Sequence, residues 1–163
     1  MKIETLRDLY VEQLRDLYSA ENQLVKALPK MAKGASNAQL QGAFTEHLAQ
    51  TQQHVQRLEQ IFKQLDTSSK GPACKGMEGL LSEGEEMIKM KGDPAAIDAG
   101  LIAAAQRVEH YEIAGYGCVR TYAHQLGEHA NEKLLQQTLD EEGAADQKLT
   151  QLAEEVINIE AER

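Results

Sequence analysis

The residues that could carry chemistry are polar groups standing where an apolar stripe calls for leucine. Early in the chain Leu14, Leu17, Leu24 and Leu28 recur at three- and four-residue steps, and Glu21 falls on the same stripe. Further on, Leu40, Phe44, Leu58 and Ile61 share a stripe with His47, Thr51 and His54, with Gln50 beside them. The segment VEHYEIAGY adds Glu109 and Glu112, three apart and so on one helical face, and Thr138, Glu142, Asp146 and Leu149 form a fourth series in which Glu141 reads as the solvated neighbour. A lone inward Glu is usually a boundary residue reaching water, and a lone inward His a hydrogen-bonded core group. Gathered in one core, however, five acids would repel one another and suffer desolvation until protons or cations compensate. Two divalent ions answer that charge. Carboxylates that can bridge a metal pair, together with imidazole nitrogen, favour iron or manganese over calcium, which asks for oxygen alone, and over structural zinc, which asks for thiolate.

Whether these groups meet depends on the elements that carry them. Four long segments have helical periodicity. The first runs from about Thr5 to Lys33, with Pro29 placed to kink its last turn and Gly34 to cap it left-handed; the second runs from Ser36 or Asn37 to about Asp66. The third opens at Asp93 and Pro94 and runs to about Leu126, and the fourth starts after Gly127 and continues to the charged C-terminus. The turns at 34–37 and 127–129 are too short for anything but antiparallel hairpins. Between the hairpins lie a loop at 67–75 and a short amphipathic stretch, Met77 to Met90, whose face of Leu80, Leu81, Met87 and Ile88 covers either the bundle or a partner subunit. Such a crossover can span a bundle of about 45 Å from end to end, so the fold expected is all-α: a ferritin-like antiparallel four-helix bundle with a short fifth helix in its crossover, forming one domain over 1–163.

Register then predicts the meeting place. Glu21 lies about 14 residues before the first turn, with Gln50 and Thr51 about as far after it; Glu112 and Glu142 flank the second turn at about 15 residues, and Glu109 and Asp146 pair one helical turn further out. If the two turns stand at opposite ends, all four patches share one level near mid-bundle. Solvated boundary residues have no reason to coincide in this way.

Composition bounds the alternatives. Seventeen Lys and Arg against twenty-six Asp and Glu give a formal net charge of −9, which disfavours nucleic acid or an anionic membrane as a partner. Cys74 and Cys118 are far apart and lack any zinc-type spacing, so both read as free thiols of a reducing compartment. No apolar run has the length of a signal peptide core or a membrane span, and a cytoplasmic protein is expected.

The stretches LYSAENQL, AFTEHLAQT, LIAAAQRVEHYEIAGYG and TLDEEGAADQKLTQLA resemble the bacterial YciF and YciE proteins, a stress-associated ferritin-like family. The resemblance spans nearly the whole chain, and AAAQRVEHYEIA followed by TLDEE is its most specific part. It implies a ferritin-like fold, a homodimer and kinship with rubrerythrin-type di-iron proteins. The general di-iron scheme takes a Glu from each of two helices and a Glu followed by His from each of the other two. Transferred here, it is met by Glu21 and Glu112, with Glu109 as an extra acid; Gln50 and Thr51 stand where a Glu is expected ahead of His54, and Asp146 replaces the His after Glu142. Loss of a bridging Glu lowers the negative charge and leaves room for an asymmetric or mononuclear site, with His47 as an alternative ligand or as a partner of one. Tyr111 and Tyr116 read first as packing residues, with a hydrogen-bond donor or radical partner near the site as the alternative, while His110, His124 and His129 read as structural or surface residues.

Two functions compete. One is an iron or manganese stress protein that handles oxygen or peroxide. The other is a non-enzymatic structural or interaction protein whose polar layer fixes register, with metal present only for stability. Mineral storage in a closed cage has little support in the residues.

Overall fold

The structure is a computed structural model and describes residues 2–163. Among the described residues it is helical throughout, with no strand: α1 (Leu6–Gly34), α2 (Ala38–Gln64), α3 (Lys75–Lys89), α4 (Pro94–Gln125), α5 (His129–Leu152), a π-helical turn (Ala153–Ile157) and α6 (Asn158–Ala161).

Each start has a chemical reason. Thr5 and Asp8 form a reciprocal capping box on α1, the Asn37 side chain accepts from the amides of Gln39 and Leu40, and Asp93 does the same for Ala95 and Ala96 ahead of Pro94. Cys74 caps α3, its sulfur accepting weakly from the Met77 amide. Gly127, at φ 74°, ends α4 in the left-handed region, where its lack of a Cβ removes the steric penalty.

Gly34 does not act as the expected left-handed cap. It stays inside α1, and the helix ends in the extended residue Ala35. The glycine is there for closeness: a Cβ on it would lie 3.0 Å from Cγ1 of Ile88, where α3 crosses α1. Pro29 likewise lies within α1 without ending it.

The two turns do stand at opposite ends. Asp98, near the start of α4, accepts from both backbone amides and the hydroxyl at Ser36 and Asn37 in the first turn, at 2.6–2.9 Å. Glu128, in the second turn, pairs with Arg7 at the start of α1 at 2.8 Å. The crossover helix α3 lies against α1 and α4, and Leu80, Leu81, Met87 and Ile88 pack on the bundle core, so that face covers the bundle itself.

Two separate apolar clusters result. One gathers Leu24, Leu28, Met31, Phe44, Val108 and Leu149 towards the first turn; the other gathers Tyr10, Leu14, Leu58, Ile61, Val119 and Leu135 towards the second. Between them lies a layer of buried polar side chains.

Candidate metal centre

That layer contains Glu21 from α1, His47, Thr51 and His54 from α2, Glu109 and Glu112 from α4, and Glu142 from α5. Each helix delivers its residue for the same reason: three- and four-residue steps keep the polar group on the stripe that packs inward. Glu21, His54, Glu112 and Glu142 are fully buried, while His47 and Glu109 keep a trace of exposure.

The side chains form two groups that share one member. His47, Glu109, Glu112 and Glu142 can each offer one ligand atom, all within 4.8 Å of one another; so can Glu21, His54 and Glu142. Glu142 divides its carboxylate between them, with Oε1 at 2.9 Å from His54 Nδ1 and Oε2 at 3.7 Å from His47 Nε2. Glu109 Oε1 stands 3.1 Å from His47 Nε2, and Glu21 Oε1 3.3 Å from His54 Nδ1.

These are close charge contacts that lack hydrogen-bond alignment. Both oxygens of Glu112 and of Glu142, one oxygen of Glu21 and of Glu109, and the inward nitrogens of both histidines have no hydrogen-bond partner. Buried polar atoms are rarely left so. Nitrogen and oxygen lone pairs that converge without donors between them fit cations, and the donor set of four carboxylates and two imidazoles suits two of them.

The electrostatics point the same way. Burial raises the carboxyl groups of Glu21, Glu112 and Glu142, that of Glu142 to about 7, and mutual repulsion pushes Glu112 further. Burial alone would lower the histidines, but Glu109 and Glu142 outweigh it at His47, lifting it to about 9, and Glu142 and Glu21 lift His54 to about 10. Both sets of shifts favour bound protons, which offset the negative charge of the layer.

Outer contacts fix the inner groups. His54 Nε2 meets Glu141 Oε2 at 2.9 Å, and Arg57 grips both oxygens of Glu141 at 2.6 and 2.9 Å and reaches Thr138 at 3.1 Å. The carboxylate fixes the ring so that Nδ1 faces the layer, the usual support for an imidazole ligand. Glu141 is therefore no solvated bystander. Arg57, one turn beyond an inward histidine, gave no decisive sign of this in the sequence, because a helical Arg is ordinarily solvated. Tyr116 donates a short hydrogen bond to Glu21. Tyr111 turns away to Asp16, at 2.6 Å, and to Cys74, at 3.0 Å.

Two expected ligands stay outside both groups. Gln50 faces the other nitrogen of His47, with Oε1 at 3.3 Å from Nδ1, which places it behind the imidazole ring. Asp146 is turned to the flank: Gln106 donates to it at 3.2 Å and the exposed His110 stands at 3.3 Å. Four residues beyond Glu142 is about 40° further around the helix, enough at this point to carry the carboxylate off the inner face. His124 and His129 are exposed, as expected, and both rings face Glu132 at the second turn.

A protein-family model described as a domain of unknown function, DUF892, matches residues 5–162. The chain belongs to this family. Among its relatives, Protein YciF of Escherichia coli (strain K12) is 45% identical over 163 residues, which is 99% of this chain and 98% of that protein. The crystal structure of the E. coli stress protein YciF matches with a TM-score of 0.93 at 44% identity, covering 96% of this chain and 99% of the other. YcfI of Rhodopseudomonas palustris, named as a candidate structural protein, matches with a TM-score of 0.88 at 42% identity over 91% of this chain and 95% of its own. The protein XCC3681 of Xanthomonas campestris pv. campestris shares the fold, with a TM-score of 0.76 at 20% identity.

Proposed function

We propose that this DUF892 protein binds two divalent metal ions, iron or manganese, in its polar layer and uses them to handle oxygen or peroxide under stress. The observation that carries this reading is the pair of ligand groups joined at Glu142, with their inward atoms unsatisfied. Glu109, Glu112 and His47 would hold one ion, and Glu21 and His54 the other, with Glu142 common to both. Such ions supply electron transfer and Lewis acidity to a small oxidant.

The chain's own residues supply the rest. The apolar clusters on either side exclude bulk water, Glu141 and Arg57 hold His54 in its tautomer, and Tyr116 keeps Glu21 oriented. His47 and Glu109, the least buried of the six, offer the side from which a small molecule reaches the layer. We place the protein in the cytoplasm as a homodimer; among the described residues, no helix is long and apolar enough to cross a membrane.

A relative named as a candidate structural protein favours a second reading, in which the metals only tie the four helices together. One experiment separates the two. Metal content is measured after purification without chelator, and peroxide consumption is then followed with the loaded protein. Two equivalents of metal with turnover are expected; two equivalents without turnover would leave the structural reading, and no metal at all would sink both.

A further inference from the structure

A cavity of about 100 Å³ adjoins the polar layer on the side of the first turn. Its floor is apolar, made by Leu24, Leu28 and Met31 of α1 and Val108 of α4, with Phe44 and Leu149 as side walls. One wall belongs to the layer itself, because His47, Gln50 and Glu109 line it. It exists because α2 and α5 face each other here with Ala43, Ala144 and Ala145, which fill too little of the space between two helices. The mouth opens between the same helices, where the exposed Lys148 and Glu46 pair across the gap.

A water needs roughly 10–15 Å³ of such space, so several would fit, but the floor and side walls give them no hydrogen-bond partners. A short hydrocarbon chain suits that lining better. The mouth suits an anionic head. Lys148 carries a long flexible stem whose ammonium can follow a new partner, and an exposed pair such as Lys148–Glu46 costs little to exchange.

We propose that this chamber binds a small aliphatic monocarboxylate, its chain lying on the Leu24, Leu28 and Met31 floor beside His47 and its carboxylate on Lys148 in place of Glu46. Binding needs no metal, although it seats the chain next to the metal positions of the reading above.

The test is calorimetric titration of the metal-free protein with hexanoate and octanoate, with octanol and octylamine as controls and metal content assayed separately on the same preparation. One saturable site is expected for octanoate. Lys148→Ala should weaken octanoate about two- to five-fold, the value of an exposed ion pair, and leave octanol unchanged. Ala145→Phe, which fills the chamber, should abolish both; Ala144→Phe, at the exposed mouth, repeats the test with less risk to the fold. Absence of saturable octanoate binding, binding that survives both phenylalanine variants, octanoate affinity indifferent to Lys148→Ala, or a preference for octylamine would each overturn the proposal. Failure to load metal would leave it standing.

Discussion

Glu142 is the residue on which the two ligand groups depend, since its two oxygens face different histidines. On the proposed two-metal reading, Glu142→Gln is expected to weaken both positions, while Glu109→Gln weakens only the one at His47, leaving about one equivalent in a metal titration. Glu141→Gln removes the acceptor behind His54 and half of the Arg57 clasp, so the His54 position alone should lose about 10–100-fold in affinity. Equal loss at both positions in the Glu141 variant would contradict the division into two groups. The six inward polar side chains were legible in the sequence, because a polar residue on an apolar stripe is conspicuous. The positions of Gln50 and Asp146 were not: each sits at a stripe edge, where a small helix rotation decides between core and flank.

Two helix contacts set the spacing of the layer. Asp98 holds the first turn with one buried carboxylate, and Asp98→Ala should cost about 2–3 kcal/mol by leaving the Ser36 and Asn37 amides unpaired, read as a lower midpoint in urea. Gly115 lies one turn beyond Glu112, and a Cβ there would come within 2.7 Å of Cδ2 of the buried Leu17, one turn before Glu21. Gly115→Val should therefore push α1 from α4, costing about 1–3 kcal/mol and also lowering metal affinity, since Glu21 and Glu112 belong to those two helices. Thermal unfolding and metal titration on the same variant check both halves. Unchanged affinity in a destabilised variant would show that the layer tolerates helix separation. Neither contact could be read in advance, because both join residues distant in sequence.

For the molecule as a whole, the layer makes stability depend on pH in an unusual direction. The carboxyl groups of Glu21, Glu112 and Glu142 and the imidazoles of His47 and His54 all have folded values above their unfolded ones. The folded state then binds more protons than the unfolded, so their contribution is full below the unfolded values and is lost as pH rises through the folded ones. For Glu142 that loss runs from about 4.5 to about 7, and for the histidines from about 6.5 to about 9 and 10. The melting temperature of the metal-free protein should fall steadily from pH 5 to pH 10. Metal should abolish most of that slope, because ions replace the protons and release them on binding. A metal-free protein whose stability rises across this range would disprove the account of the layer as proton-held.

The sequence by itself determined the helices, the hairpins and the level at which the polar patches meet. Periodicity, caps and distance along a helix are local quantities, and a rise of about 1.5 Å per residue turns a residue count into a height. Only the tertiary structure decided how the helices are rotated about their axes and how closely they approach. Those choices sent Asp146 to the flank, set Glu141 behind His54, kept Gly34 inside α1 beneath Ile88, and left the gap between α2 and α5. The physical reason is that rotation and approach are fixed by side chains from different segments packing together, and no single stretch of sequence contains that balance.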